Sequence, residues 1–300
     1  MKKVIGIDLG GTKINACLID EIGNILEREE VPTNADKGRD QVLENIKEAI
    51  YKLDYKSASA IGIGTPGFID AENGIVTFAG NIKGWTGLNL KEAVEKFVDL
   101  PVFVENDANI ALIAEKWIGA CKNYKNVVMI TLGTGLGGAV YTEDGGILQG
   151  SNFQGAELGH MILYPEGRTC TCGQLGCAEQ YCSGTGIGRE YQELTGKTAS
   201  GKEVFDLIKK DPNAKEVLKS YQKNLAYFLT SLRNIFDPQA IVIGGGVIAS
   251  KDLFWDGMVE KFKQVCHKPD SVEIIPAKFL NNAGVIGAAR IAFERMDNGK

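Results

Sequence analysis

His160, Cys170, Cys172 and Cys177 bring one imidazole and three thiols onto a short stretch of chain. A Cys3His set of soft donors suits tetrahedral Zn2+, and four protein ligands leave no open position, so the expected metal is structural and not a Lewis acid. Gly173 and Gly176 lie inside the loop, where they let it curl until the sulfurs converge. Disulfides are the other reading of closely spaced cysteines, and a reducing cytosol opposes them. Cys182 is a weaker substitute for His160 as fourth ligand, because it lies beyond the glycine-shaped loop. The scattered Cys17, Cys121 and Cys266 read as small buried hydrophobes. Glu157 and Glu179 flank the loop and are not needed to hold zinc; as carboxylates they suit paired hydrogen bonds to adjacent sugar hydroxyls.

Three glycine-rich turns each follow an apolar strand: DLGGTK (8–13), TLGTGLGG (131–138) and IGGGV (243–247). Glycine lets backbone N–H groups approach phosphate oxygens with no Cβ in the way. Gly10, Gly11, Thr12, Gly133, Thr134, Gly135, Gly137, Gly244 and Gly245 are therefore candidates for nucleotide binding. The first two turns lead into a strand and not a helix, and neither fits GxxxxGK[ST] or the dinucleotide fingerprint, which leaves a phosphate clamp built from hairpins. Asp8 at the end of its strand can organise Mg2+ through water, while Lys13 offers a positive charge to phosphate or is a solvated surface charge. Asn106-Asp107, after the strand VFVE (102–105), can meet a polyhydroxylated substrate: Asp107 to accept a hydroxyl proton, Asn106 to fix the neighbouring hydroxyl. The same pair also reads as a turn asparagine followed by an N-cap aspartate.

These residues need a scaffold of alternating strands and helices. VIGIDL (4–9), INACLID (14–20) and ILEREEV (25–31) form an antiparallel meander, followed by a helix over 38–54 on which Val42, Ile46, Ala49, Ile50 and Leu53 share one face. A strand at 60–64, a helix at 90–98, the strand 102–105 and a helix at 108–119 complete an α/β lobe. Residues 128–148 then repeat the pattern of 4–26: with Asp8 laid on Thr131, Gly10 falls on Gly133 and Asp20 on Glu143. Such a repeat predicts two related lobes facing one another across a cleft. The second continues through helices at 184–194, 202–209 and 214–236, a strand at 240–247, a helix at 252–263, a strand at 272–277 and a terminal helix at 284–295. The expected division is 1–118 and 119–283, with the 284–300 segment packing back on the first lobe.

The bulk numbers agree with two domains of an ordinary soluble protein. The chain has 300 residues, 44% of them hydrophobic, and a net charge of −5, which opposes a nucleic-acid partner. No apolar stretch approaches the roughly 20 residues that a membrane span needs, and the N-terminus lacks a signal-peptide pattern, so the expected location is the cytoplasm.

DLGGTK, ENDAN (105–109), TLGTGLGG, ExGH (157–160) and CxCGxxGCxE (170–179) together resemble the ROK family of repressors, open reading frames and sugar kinases, within the actin-like ATPase-fold (ribonuclease H-like) sugar kinases. The resemblance implies a two-lobed α/β fold with an interdomain cleft, ATP with Mg2+ as phosphoryl donor, and Asp107 as base. It also implies that Gly67, Asn81, Asn106, Asp107, Glu157, His160 and Glu179 contact the sugar, and that Gly244 and Gly245 lie on the adenosine side. His160 would then serve twice, one ring nitrogen on zinc and one toward a hydroxyl. Glucose is the expected acceptor, from the likeness of Asn81 with the following Trp and Asn-Leu-Lys to glucokinase members; N-acetylmannosamine, N-acetylglucosamine and fructose are the alternatives, and polyphosphate is an alternative donor. Trp85 stacks on the sugar or packs. Family repressors carry a helix-turn-helix ahead of the first glycine strand, for which a strand starting at Val4 leaves no room. By analogy with the family, a homodimer is expected.

Overall fold

The computed structural model describes residues 2–297, in two compact units. The first takes the chain up to Lys122, the segment Gln149–Gly155 and the chain from Asn281 on; the second is Asn123–Leu148 with Ala156–Leu280. Residues 149–155 thus cluster with the first unit, although their position in the sequence puts them in the second. Of the expected 284–300 helix, residues 298–300 lie outside the described residues.

In the first unit β1 (Lys3–Leu9), β2 (Lys13–Asp20) and β3 (Ile25–Pro32) form the antiparallel meander. After α1 (Arg39–Lys52), β4 (Ile61–Thr65) pairs parallel with β1. The small hairpin β5 (Phe68–Asp70) and β6 (Ile75–Phe78) and the short helix α2 (Leu90–Glu95) precede β7 (Val102–Asn106), parallel to β4, and α3 (Asp107–Trp117). The sheet order is β3-β2-β1-β4-β7. Register sets Asp8 beside Gly64 and Thr65 beside Asn106. Asp8, Thr65 and Asn106 therefore stand at the carboxyl ends of three adjacent parallel strands, the edge where open α/β sheets bind ligands.

Alternation along β1 sends Ile5, Ile7 and Leu9 into a core with Val42 and Ile46 of α1, and Gly6 and Asp8 to the opposite face. The terminal helix Ala283–Asp297 lies on that face, and a Cβ at Gly6 or Gly62 would collide with the carbonyl oxygens of Val285 and Ala288. Glycine in the strands lets the helix backbone rest directly on the sheet.

The second unit repeats the plan. β8 (Val127–Leu132), β9 (Leu136–Thr142) and β10 (Gly146–Ile147) form an antiparallel meander. The chain then runs through α4 (Glu179–Cys182), α5 (Gly184–Thr195), α6 (Gly201–Leu207) and α7 (Pro212–Phe236) to β11 (Ala240–Gly244), and through α8 (Lys251–Val265) to β12 (Glu273–Pro276). The order β10-β9-β8-β11-β12 matches the first sheet in both sequence and direction. Asp8 and Thr131, aligned by the internal repeat, are each the penultimate residue of the central strand. The terminal helix Ala283–Asp297 is α9. No helix among the described residues is long and apolar enough to cross a membrane.

Candidate active site

In the first unit Asn106 and Asp107 divide the work of starting α3, and they do so in the reverse of the expected way. Asn106 is the N-cap: its side-chain oxygen accepts from the backbone N–H of Ala108 at 2.8 Å and of Asn109 at 3.2 Å, and its amide donates to the Gly67 carbonyl at 3.0 Å. Asp107 is the first helical residue and is exposed, with Oδ1 accepting from Ala108 N at 2.9 Å. Crowding by surrounding protein raises its pKa, opposed by N–H donors from Ala108, Asp107 and Asn106. Asn106 thus serves as cap and tether, and Asp107 carries the ionisable group of the pair.

Gly67 has a φ of 109°, and a side chain there would collide with Phe78 O, so the turn that presents its carbonyl to Asn106 requires glycine. Asn81 is exposed on the loop after β6. Trp85 on the same loop is fully buried, with Nε1 donating to Thr65 Oγ1 at 3.1 Å; it packs, and has no face left for a sugar.

Behind this pair lies a residue that motif chemistry had passed over. Glu105 is 1% exposed, and its carboxylate accepts four hydrogen bonds: from Asn106 N and Asn109 Nδ2 at 3.0 Å, and from Gln149 Nε2 and Arg295 Nη2 at 2.9 Å. Arg295 also donates to the carbonyls of Ala71 and Val104. Removing one partner of such a pair leaves a charge without compensation in a dry setting. Arg295→Met is expected to lower the stability of the chain by about 3 kcal/mol, read from its urea midpoint; a midpoint within about 0.5 kcal/mol of wild type would show that the pair is dispensable.

Asp8 lies on the face of β1 toward the start of α9, where Gly284 leaves it room: a Cβ at 284 would stand 2.5 Å from Asp8 Oδ2. Burial, with the negative charge of Asp107, raises the Asp8 pKa from 3.8 to about 6, and Lys13 pulls the other way. A raised carboxyl pKa means that the folded chain holds the proton more tightly than the unfolded one. No penalty exists below pH 3.8; it grows as pH rises toward 6 and is complete above. Asp8→Asn in the metal- and nucleotide-free protein should thus gain about 1–3 kcal/mol at pH 7.5, allowing for partial exposure, with the gain gone below pH 4. Urea midpoints at the two pH values check it, and an equal gain at both would contradict it.

The first turn exposes Gly11 and Thr12, while Gly10 N donates to Lys13 O at 3.0 Å and Gly10 O accepts from Thr33 Oγ1 at 2.6 Å. Lys13 turns along the sheet to Glu30, Nζ to Oε2 at 2.7 Å, an exposed ion pair.

In the second unit the turn Gly133-Thr134-Gly135 joins β8 to β9, with Gly137 already within β9. Gly244 ends β11, and Gly245, at a φ of 85°, presses against the Leu132 backbone so closely that no Cβ would fit. Gly184, the first residue of α5, donates its N–H to Gly133 O at 2.8 Å. Second turn, third turn and the start of α5 thus converge.

Glu157, exposed, opens the short helical turn Leu158–His160. Gly159 permits that turn to sit against the Leu136 carbonyl, where a side chain would clash. One donor atom from each of His160, Cys170, Cys172 and Cys177 lies within 4.8 Å of the other three. Cys170 Sγ is 3.7 Å from His160 Nδ1, and Cys172 Sγ is 3.7 Å from Cys177 Sγ. A tetrahedral zinc, with bonds of about 2.3 Å to sulfur and about 2.0 Å to nitrogen, separates its ligand atoms by about 3.6–3.8 Å. The donor set fits that ion. Gly173 and Gly176 have positive φ, 92° and 79°, as the curl of the loop requires. Cys182 is buried in the core of the second unit and is not part of the cluster. With Nδ1 facing Cys170, His160 Nε2 is directed to the other side, 3.9 Å from Glu157 Oε2.

The chain is similar to known proteins along nearly its whole length. The family model described as ROK family matches residues 4–295. The glucokinase of Thermotoga maritima is 36% identical, with 98% of each chain covered. Among solved structures, the ROK hexokinase from Thermus thermophilus has a TM-score of 0.88 at 33% identity, over 99% of this chain and all of that one. The ROK family glucokinase from Streptomyces griseus, in complex with glucose and AMPPNP, has a TM-score of 0.84 at 32% identity, over 97% of this chain and 99% of that one. Matched by the family model over nearly its whole length and aligned end to end with these relatives, the chain belongs to the ROK family.

Proposed function

We propose that this chain is an ATP-dependent hexose kinase that transfers the γ-phosphoryl group to glucose, with Asp107 as the general base. The observation that carries this is the division of labour at the start of α3: Asn106 caps the helix and is tethered to Gly67, while Asp107 is exposed and burial of its carboxyl end raises its pKa, as suits a base. The likeness to glucokinases over the full chain supports glucose as acceptor.

Phosphoryl transfer asks a protein mainly to position the acceptor, remove its proton and neutralise charge. Asp107 accepts the proton of the attacking hydroxyl, and the α3 N-terminus stabilises the carboxylate before transfer. Asn81, Glu157, His160 and Glu179, with the second amide hydrogen of Asn106 and the backbone of Gly67, take the remaining hydroxyls. The glycine turns at 10–12, 133–137 and 244–245 offer backbone N–H groups to the nucleotide. Asp8 would hold Mg2+ through water, and the ion would supply neutralisation of phosphate charge. His160, Cys170, Cys172 and Cys177 would hold a structural zinc, and His160, its ring fixed by that ligation, would turn Nε2 toward the sugar. Lys13, paired with Glu30, acts through its charge on Asp8.

ADP release measured with glucose, N-acetylmannosamine, N-acetylglucosamine and fructose in turn tests the reading. Glucose is expected to give the highest kcat/KM. An acetylated hexosamine or fructose in first place would overturn the acceptor assignment, and silence with every sugar would overturn the kinase.

A further inference from the structure

Glu179 is assigned above to the sugar, yet one of its carboxylate oxygens is already engaged. Glu179 Oε2 accepts the backbone N–H of Leu136 at 3.0 Å, at the point where the second glycine turn enters β9. A Cβ on Gly135 would stand 2.5 Å from the same oxygen. Gly135 has no left-handed φ, so its lack of a side chain serves room for Glu179 and not a backbone conformation. At the start of α5, just beyond α4, Gly184 N donates to Gly133 O at 2.8 Å, and Thr185 N approaches Thr134 O at 3.4 Å. Glu179, at the start of α4, and Gly184 and Thr185, at the start of α5, thus fasten the turn on both sides, Glu179 through its side chain. Oε1 points elsewhere, 3.8 Å from Cys170 Sγ.

We propose that Glu179 is a positioning residue for the second glycine turn as well as a sugar contact, so that one carboxylate links the acceptor site to nucleotide binding. This rests on the functional reading above. A hydrogen bond to an ionised acceptor is among the stronger ones, and without it the Leu136 amide and the turn before it lose their anchor. Linkage runs both ways: whatever displaces Glu179 from the side of the turn disturbs the sugar.

Two binding titrations test it, one with a non-hydrolysable ATP analogue in the absence of sugar and one with glucose in the absence of nucleotide. Glu179→Ala is expected to weaken the analogue about tenfold or more. Glu179→Gln, whose amide oxygen still accepts the Leu136 N–H, should hold the analogue within about threefold. Glu157→Ala, at a residue assigned to the sugar and not to the turn, should leave affinity for the analogue unchanged. Gly135→Ala meets only the end of a flexible side chain and should fold, yet it is expected to weaken glucose about tenfold by displacing Glu179. Wild-type affinity for the analogue in Glu179→Ala, or for glucose in Gly135→Ala, would overturn the proposal. Hydrogen exchange at the Leu136 amide supplies a readout that needs no ligand: it should quicken in Glu179→Ala and not in Glu157→Ala. A wild-type chain that bound neither ligand would count against the kinase reading, while the exchange rates would still decide the role of Glu179 in the turn.

Discussion

Asp107→Asn should lower kcat by about 10²–10⁴ while glucose affinity changes less than about threefold. The substitution is nearly isosteric, and the amide oxygen still accepts the Ala108 N–H that Asp107 Oδ1 accepts at 2.9 Å, so the start of α3 is preserved. What is lost is the ability to take a proton. Because crowding raises the Asp107 pKa, the ionised form costs more in the folded chain than in the unfolded one. The variant should therefore be no less stable than wild type at neutral pH, which separates lost chemistry from lost structure. The wild-type rate should fall as pH drops through the raised pKa, since only the ionised carboxylate is a base, and the variant should lack that limb. Turnover within a few-fold of wild type would remove Asp107 from the role, whatever the sugar.

Loss of the metal is expected to act on a different quantity. Cys172→Ser, or a strong chelator, should release one zinc per chain, lower the stability of the second unit by about 3 kcal/mol or more, and weaken glucose at least tenfold. The reasoning begins with the loop itself: among the described residues its strand-like support is two isolated bridges, Ile162 with Cys177 and Thr169 with Leu175, and two glycines of positive φ interrupt it. Such a loop is expected to keep three sulfurs and an imidazole within 4.8 Å of one another in solution only if a metal binds them. His160 then loses its fixed orientation, and the sugar loses Nε2. Elemental analysis of freshly purified protein reads the metal, and urea unfolding reads the stability. Protein that is fully folded and sugar-competent with no bound metal would contradict the assignment.

Much of this was legible in the residues before any fold was known, and the reason is locality. The metal donors, the glycine turns and ENDAN each declare their chemistry within a few positions, because the geometry they need is made by their own loop or strand end. The internal repeat was also visible, since the matched order of the two sheets arises from the same succession of strand, glycine turn and strand. Features that depend on distant partners were not. Glu105 looks like an ordinary strand carboxylate until Gln149 and Arg295 reach it from remote parts of the chain. Glu179 gives no local sign that it touches Leu136. Asparagine and aspartate cap helices about equally well, so which of Asn106 and Asp107 does so depends on the tether to Gly67. Trp85 is drawn inward by Thr65, from another strand. The β5–β6 hairpin is different: Asn73-Gly74, with Asp70 accepting from Asn73, is a turn signal of the usual kind, passed over because its strands have only three and four residues.

The central claim is that a phosphoryl group moves from ATP to a sugar hydroxyl. Phosphorus NMR of a reaction containing the purified chain, ATP, Mg2+ and glucose observes that transfer directly. A sugar phosphomonoester resonance should grow in step with ADP, at equal amounts, and should be absent with Asp107→Asn over the same period. ADP appearing with inorganic phosphate instead, or no loss of ATP beyond the protein-free control, would contradict it.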